Sequence, residues 1–171
     1  RRLGARVTVV EMFNILGKDD PEAADVVRRR LQAEGIELLE HARVASVSGM
    51  AGDISVKVET DATVEEISGS HLLIAGGRMP NMEGLNLEAA GIAYGKQGIT
   101  VDARLRTSNK HIFAIGDVRG GLQFTHTAGY DAGIVIRNAL FKLPAKANYR
   151  AAPWVTYTDP ELAHVGLQES E

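Results

Sequence analysis

Arg6-Val7-Thr8-Val9-Val10 is a β-branched apolar run that ends in the acid Glu11, and it predicts a buried parallel strand. Asp19-Asp20-Pro21-Glu22 then predicts the start of a helix, with Asp at the cap, Pro at the first helical position and an acid in the first turn. Gly35 stands where a helix favours a left-handed residue at its end, and Ile36-Glu37-Leu38-Leu39 begins the next extended segment. Strand, helix and strand in this order form the repeating unit of a parallel α/β sheet.

A different periodicity follows this unit. Between about residues 44 and 67 apolar and polar side chains alternate, most clearly in Ile54-Ser55-Val56-Lys57-Val58-Glu59. This alternation is typical of strands with one buried face. Because turn-forming stretches lie on both sides of the run, we predict an antiparallel meander inserted into the parallel α/β unit. His71-Leu72-Leu73-Ile74-Ala75 then predicts a return to a buried strand.

The second half of the chain contains another short strand pattern and a long helix pattern. His111-Ile112-Phe113-Ala114-Ile115 predicts a buried strand that ends in Gly116-Asp117, and residues 126–141 predict a helix. Small residues on this helix predict close packing against a neighbour; they are Ala128, Gly129, Ala132 and Gly133. Residues 144–150 are interpreted as a linker, and Trp154-Val155-Thr156-Tyr157 predicts the first strand of a new sheet.

The composition is that of an ordinary globular protein. Of the 171 residues 44% are hydrophobic and 24% are charged, with a formal net charge of −3, which gives no reason to expect nucleic acid or an anionic membrane as a partner. The apolar run Leu72-Leu73-Ile74-Ala75 is far too short to cross a bilayer, and the cytoplasm is the expected compartment. The chain has no cysteine, so any thiol chemistry must come from other sequence. No histidine has a partner at metal-ligand spacing, and no metal site is predicted.

Glu11 is a candidate ligand of a nucleotide. In a dinucleotide-binding βαβ unit, the acid at the end of the second strand accepts hydrogen bonds from the adenosine ribose hydroxyls. A carboxylate there repels the 2′-phosphate of NADP, and Met12-Phe13-Asn14 contains no arginine to bind that phosphate, so NAD is favoured. The alternative interpretation is a solvated acid at a strand end.

Two further features have a functional and a structural interpretation. Gly116-Asp117, after an apolar strand, can bring the backbone close to a ligand and direct one carboxylate at its hydroxyl groups; the alternative is ordinary turn chemistry. The predicted helix near His126 has free N–H groups and a positive dipole end, which would stabilise negative charge such as that of a reduced flavin. The alternative is an ordinary amphipathic helix.

Taken together and in order, five stretches resemble the pyridine nucleotide-disulfide oxidoreductases of the dihydrolipoamide dehydrogenase and mercuric reductase type. They are RVTVVE (6–11), HLLIAGGRMPN (71–81), VDARLRTSNKHIFAIGD (101–117), QFTHTA (123–128) and PWVTYTDPELAHVGL (153–167). The second stretch departs from the family pattern at Gly76, where the family usually has threonine. The resemblance covers essentially the whole chain.

The resemblance implies an α/β fold with three parts. Residues 1–77 would be a Rossmann-like NAD-binding domain with the antiparallel meander, lacking its first strand and its glycine-rich turn. Residues 78–148 would be the C-terminal half of an FAD-binding domain. Residues 149–171 would be the start of the dimerisation domain. We therefore expect the chain to be the central portion of a longer enzyme.

The resemblance also implies cofactor-binding residues and no catalytic residue. Glu11 would bind the NAD ribose, Val44 would contact the adenine side, and Gly77 and Arg78 would lie near the nicotinamide path. Gly116 and Asp117 belong to the flavin segment, where Asp117 would hold the ribityl chain of FAD. Thr125 would contact the isoalloxazine edge through its backbone.

For the whole protein, the resemblance implies a homodimer that passes electrons from NADH through FAD to a redox disulfide outside this chain. A small-molecule disulfide or Hg(II) would be the substrate, and this chain alone would be inactive. The alternative is a flavoprotein scaffold that binds FAD and NAD without disulfide chemistry. A Cys-x4-Cys pair in the first flavin half would discriminate between the two.

Overall fold

The computed structural model describes residues 1–168 and has a mixed α/β fold. Its two α-helices are α1 (Pro21–Ala33) and α2 (Thr125–Ala139), and a 3₁₀ helix covers Gly116–Arg119. Its strands are β1 (Thr8–Val10), β2 (Glu37–Leu39), β3 (Arg43–Met50), β4 (Asp53–Glu59), β5 (Val64–Gly69), β6 (Tyr94–Gly95), β7 (Gly98–Ile99), β8 (Pro153–Thr156) and β9 (Leu162–Val165). The chain forms two compact units: Arg1–Ala75 together with the segment that begins at Val155, and Gly76–Trp154.

The parallel βαβ order predicted at the start of the chain is confirmed, but β1 covers only Thr8–Val10 and its residues are half-buried, not buried as predicted. β1 and β2 pair in parallel, with Thr8 opposite Glu37. Asp20 caps α1, because its Oδ1 accepts hydrogen bonds from the N–H of Glu22 at 2.9 Å and of Ala23 at 3.2 Å. After the helix Gly35 has φ of 77°, the left-handed conformation predicted for this position.

The predicted meander is also confirmed. β3, β4 and β5 form an antiparallel three-stranded sheet with β4 in the centre. Val58 on β4 is only 1% exposed and lies opposite Val44 on β3. The pairing shifts between Val44 and Ser46, which is the irregularity of a β-bulge.

The prediction of two further buried strands is wrong. Residues 71–75 form no strand, and Leu73 and Ile74 are 87% and 85% exposed. Residues 111–115 make only one isolated bridge, between Phe113 and Arg106. Backbone hydrogen bonds from Thr107 to Ile112 and from Ala114 to Leu105 flank this bridge, but the pairing does not extend into a ladder. Residues 71–75 have no strand beside them within residues 1–168, and an extended segment without a neighbour that supplies backbone hydrogen bonds does not become a strand.

The core of the Gly76–Trp154 unit is small and lies beside the 3₁₀ helix. It is built from Leu87, Ile92, Ile99 and Ala114. Ala114 therefore has the burial predicted for its segment even though that segment is not a strand. The hairpin of β6 and β7 contributes Ile99 to this core.

The predicted linker, residues 144–150, is not a free connection. Asn138 on α2 donates to the carbonyl of Ala145 at 2.9 Å, and the N–H of Ala147 donates to the carbonyl of Ala103 at 2.8 Å. The N–H of Asn148 donates to the hydroxyl of Tyr130 at 3.0 Å. Two of these bonds hold the segment against α2 and the third holds it against the loop at Ala103. The Lys, Asn and Ala composition of the segment does not indicate them.

Two other expectations meet different outcomes. The helix predicted for residues 126–141 is confirmed as α2, which covers Thr125–Ala139. The strand predicted at residues 154–157 is also confirmed, because β8 pairs with β9 in a two-stranded sheet. Close packing holds for Ala128, which lies against Gly116, but not for Gly129 or Gly133, which are exposed and have no atom near the position of a Cβ. Within residues 1–168 neither helix has the length and apolar character that a bilayer crossing requires.

Candidate cofactor-binding site

Glu11 lies directly after β1, in the Arg1–Ala75 unit. Its N–H donates to the carbonyl of Leu39 at 2.9 Å, and its carbonyl accepts from the N–H of Ala42 at 3.0 Å, so its backbone is held between β1 and the chain that leaves β2. Its carboxylate accepts a hydrogen bond from the N–H of Phe13 at 3.0 Å. That bond fixes one carboxylate oxygen and directs the acid toward the turn that follows the strand. The geometry is compatible with both interpretations of Glu11.

Val44 and the neighbouring loop lie close to the same strand ends. The bond from Ala42 to Glu11 brings the start of β3 beside β1, and Val44 is exposed there. Glu40 holds the loop after Glu11, because it accepts from the N–H of Ile15 at 2.7 Å and from Arg28 Nε at 2.9 Å. The Arg28 guanidinium is the main reason that the pKa of Glu40 lies below its ordinary value.

Gly116 and Asp117 begin the 3₁₀ helix of the other unit. Gly116 is buried with φ of 67°, and a Cβ there would lie 3.3 Å from the Cβ of Ala128. Its backbone therefore passes closer to α2 than most residues permit. The Asp117 side chain is exposed, and within residues 1–168 its carboxylate has no hydrogen bond or ion pair.

Thr125 is the first residue of α2, and the helix begins without a side-chain cap. The residue at the cap position is Phe124, which has no side-chain acceptor for the first N–H groups. Thr127 stabilises the backbone of this turn instead, since Phe124 N–H donates to its hydroxyl at 3.3 Å and the hydroxyl lies 2.9 Å from the carbonyl of Leu122. The N–H groups at the helix start, with the positive end of the dipole, remain available to an electron-rich group.

Arg78 connects the segment after residue 75 to the loop before α2. Its Nη1 donates to the carbonyl of Gln123 at 2.9 Å. The preceding residue, Gly77, is exposed with φ of 103° and has open space where a Cβ would be. Both residues of the predicted nicotinamide path are therefore accessible, and Arg78 is fixed at one end by a backbone bond.

A buried ionic cluster that was not predicted from the sequence lies next to Gly116 and is formed by Arg119, Asp131 and Tyr149. Asp131 on α2 is fully buried, and its Oδ2 accepts from Arg119 Nε at 2.6 Å. The Tyr149 hydroxyl donates to the other oxygen, Oδ1, and Arg119 also lies 4.5 Å from the centre of the Tyr149 ring. Burial and the hydrogen bond to Asp131 raise the pKa of Tyr149 above its ordinary value.

The available signal for this cluster was weak. Asp131 interrupts the apolar face of a helix otherwise rich in small residues, and an acid at such a position requires a buried partner. Its partners are 12 and 18 residues away along the chain, so no local pattern identifies them.

The residues of the Gly76–Trp154 unit fit the ribityl and ring portions of a flavin. A flavin tail presents hydroxyl groups, for which the exposed Asp117 carboxylate is a suitable acceptor. A flavin ring presents an electron-rich edge, for which the uncapped start of α2 is a suitable donor surface. Gly116, directly before Asp117, lies close to Ala128 in the first turns of α2.

Comparison with known proteins gives consistent matches over the chain. The family described as pyridine nucleotide-disulphide oxidoreductase matches residues 1–132. Mercuric reductase from Bacillus cereus is 40% identical over 172 residues, which cover 99% of this chain and 27% of that protein. Mercuric reductase from Staphylococcus aureus is 37% identical, with 99% and 31% coverage. Dihydrolipoyl dehydrogenase from Geobacillus stearothermophilus is 34% identical, with 98% and 36% coverage.

Solved structures show the same similarity. LpdA from Mycobacterium tuberculosis has a TM-score of 0.88 and 34% identity, and the match covers 98% of this chain and 36% of that one. The Cu(II) complex of RclA, an HOCl-induced flavoprotein disulfide reductase from Escherichia coli, has a TM-score of 0.86 and 32% identity, with 98% and 38% coverage. The chain thus spans between about a quarter and two fifths of the length of the proteins it resembles.

Proposed function

The chain belongs to the pyridine nucleotide-disulphide oxidoreductase family, and from that premise we propose that it supplies cofactor-binding surfaces to an FAD-dependent NADH:disulfide or NADH:Hg(II) oxidoreductase. The observation that carries this proposal is the pairing of two groups within residues 1–168: an exposed Asp117 carboxylate that has no hydrogen bond or ion pair there, and the start of α2, which has no side-chain cap. The bond from Gly116 N–H to Asp131, 3.1 Å long, ties the turn that carries Asp117 to α2.

In this proposal the residues of the chain bind and orient the cofactors. Asp117 accepts hydrogen bonds from the ribityl hydroxyls of FAD, and the backbone of Thr125 donates to the isoalloxazine edge. Glu11 accepts from the adenosine ribose of NAD, with Val44 against the adenine. Gly77 and Arg78 lie along the path of the nicotinamide.

FAD, held by Asp117 and the start of α2, would supply the hydride and electron-transfer chemistry. The acceptor of those electrons is a disulfide outside this cysteine-free chain. The proposal includes a cytoplasmic homodimer, with the segment from residue 149 onward contributing to the interface. The similarity to mercuric reductase and to dihydrolipoyl dehydrogenase supports Hg(II) or a small disulfide as the class of substrate.

The test is anaerobic titration of the purified full-length protein. We expect a yellow protein whose flavin absorbance is bleached by NADH and less readily by NADPH, followed by turnover with lipoamide, a glutathione-type disulfide or Hg(II). A full-length protein that remains colourless after incubation with FAD contradicts the proposal. A flavin that NADH reduces, in a protein that turns over no disulfide and no Hg(II), identifies a scaffold instead of a reductase.

A further inference from the structure

The cluster of Arg119, Asp131 and Tyr149 lies next to the 3₁₀ turn, Gly116–Arg119, that carries Asp117. Asp131 is fully buried and the Arg119 side chain is only 9% exposed, so this pair is withdrawn from water. Removing two charges from water is costly, and a well-packed apolar pair at the same place is often equally stable or more stable. The presence of the ion pair therefore calls for an explanation in terms of geometry.

The contacts of Asp131 show what its carboxylate does. Oδ2 accepts from the backbone N–H of Gly116 at 3.1 Å and from Arg119 Nε at 2.6 Å. Gly116 and Arg119 are the first and last residues of the 3₁₀ helix. One oxygen atom thus holds both ends of the turn on which Asp117 lies.

Asp117 itself has no such anchor. Its side chain is exposed and has no bonded partner within residues 1–168. The direction of its carboxylate is consequently set by the backbone of the turn, which is held by the bond from the Gly120 N–H to the Asp117 carbonyl and by the two bonds to Asp131. The bond from the Tyr149 hydroxyl to Asp131 connects the cluster to residues 144–150, and the Tyr149 ring also lies against the Arg119 guanidinium.

We propose that Asp131 is a positioning residue for FAD, which clamps Gly116 and Arg119 so that Asp117 faces the ribityl chain. The inference rests on the proposed function, because it requires that Asp117 binds FAD. It assigns to Asp131 an effect on cofactor affinity, although Asp131 is buried and does not contact the ligand itself.

The experiment uses the full-length protein, stripped of flavin and reconstituted with FAD, and compares Asp131→Asn with wild type. Asparagine has the same shape as aspartate but no negative charge, so its hydrogen bonds from Gly116 and Arg119 are weaker and the turn is held less firmly. We expect the Kd for FAD to rise at least tenfold, which corresponds to about 1.4 kcal/mol of binding free energy. We also expect the visible absorption spectrum of the bound flavin to change.

Asn138→Ala is the matched control for stability. It removes the bonds from α2 to the carbonyls of Arg104 and Ala145 without touching the 3₁₀ turn. We expect it to lower the apoprotein unfolding temperature, as Asp131→Asn does, while leaving the Kd for FAD within about twofold of wild type. Equal losses of FAD affinity in the two variants, or no loss in Asp131→Asn, would overturn the inference.

Two further arms keep the test decisive. If Asp131→Asn does not fold, Arg119→Lys loosens one end of the clamp while retaining the positive charge, and it must weaken FAD binding relative to Asn138→Ala or the inference is wrong. A wild-type protein that binds no FAD refutes the proposed function itself. Wild type that binds FAD, with variants that bind it equally well, refutes only the role of Asp131.

Discussion

At the scale of single residues, two carboxylates fourteen residues apart in the sequence, Asp117 and Asp131, have opposite environments. Asp117 is exposed and unpartnered within residues 1–168, whereas Asp131 is buried and accepts bonds from a backbone N–H, a guanidinium and a phenol. A buried carboxylate that has three donors is satisfied internally and is not free to bind a ligand. The exposed one retains its full capacity as an acceptor, which is why we assign the ligand contact to Asp117.

The first prediction concerns this contact. Asp117→Ala in the full-length protein should raise the Kd for FAD by about 10- to 100-fold, because a hydrogen bond to a charged group contributes roughly 1.5–3 kcal/mol. Asp61→Ala is the control, since Asp61 is an exposed acid between β4 and β5. Measuring flavin release from both variants checks the prediction, and equal Kd values for Asp117→Ala and wild type would refute it.

The second prediction follows from the raised pKa of Tyr149. A phenol whose pKa is higher in the folded state than its ordinary 10.0 stabilises the fold fully below pH 10 and loses that contribution as the pH rises toward the folded-state pKa. Tyr149→Phe should therefore show a weaker loss of unfolding free energy above pH 10 than wild type.

Tyr130→Phe is the control for this effect, because Tyr130 lies edge-on to Tyr149 and bonds to the N–H of Asn148 but not to Asp131. Denaturant titrations on either side of pH 10 give the comparison. The account fails at this point if Tyr149→Phe and wild type lose stability equally as the pH rises.

At the scale of elements, local chemistry and long-range pairing differ in how well they could be predicted. The start and end of α1 followed from Asp20, Pro21 and Gly35, since caps are encoded by adjacent residues. The strands expected at 71–75 and 111–115 are absent because strand formation depends on a partner strand, which a local apolar run does not specify. The clamp on the 3₁₀ turn was missed for the same reason, since it joins residues far apart in the chain.

The third prediction concerns the β6–β7 hairpin, which approaches the 3₁₀ helix. Gly98 has φ of 119°, and a Cβ there would lie 2.6 Å from the carbonyl carbon of Arg119. Gly98→Ala should destabilise the protein by more than about 2 kcal/mol, because it combines backbone strain with a clash against backbone.

Gly95, directly opposite Gly98 in the same hairpin, is the control. Its backbone is ordinary and a Cβ there would meet no atom within 4 Å, so Gly95→Ala should change the free energy of unfolding by less than about 0.5 kcal/mol. Unfolding of both variants in denaturant distinguishes them. Similar stabilities for the two alanine variants would contradict the described approach of this hairpin to the 3₁₀ helix.

At the scale of the whole molecule, family membership could be recognised from ordered motifs, whereas the domain boundaries at residues 77 and 148 stay predictions. Individual motifs such as Gly116-Asp117 were ambiguous when taken alone, and their order along the chain resolved the family. The roles of Glu11, Val44 and Arg78 also stay predictions, because each depends on a cofactor contact. Composition could not reveal which apolar runs are exposed, and Leu73 is an example.

The fourth prediction concerns the choice of nicotinamide cofactor. If Glu11 binds the adenosine ribose, its negative charge disfavours the 2′-phosphate of NADPH. Glu11→Gln should therefore lower the ratio of kcat/KM for NADH to that for NADPH by about tenfold, a change of about 1.4 kcal/mol. Glu37→Gln, on the neighbouring strand β2, should leave the ratio unchanged, and a ratio in Glu11→Gln equal to that of wild type would remove Glu11 from the NAD site.

The central claim is that the turn after residue 115 and the start of α2 together hold FAD. A crystal structure of the full-length protein with FAD tests it most directly, through the distance from the Asp117 carboxylate to the ribityl hydroxyls. We predict a hydrogen bond within about 3.2 Å, with the first N–H groups of α2 directed at the flavin ring. An Asp117 carboxylate that faces bulk water in that structure would contradict the account.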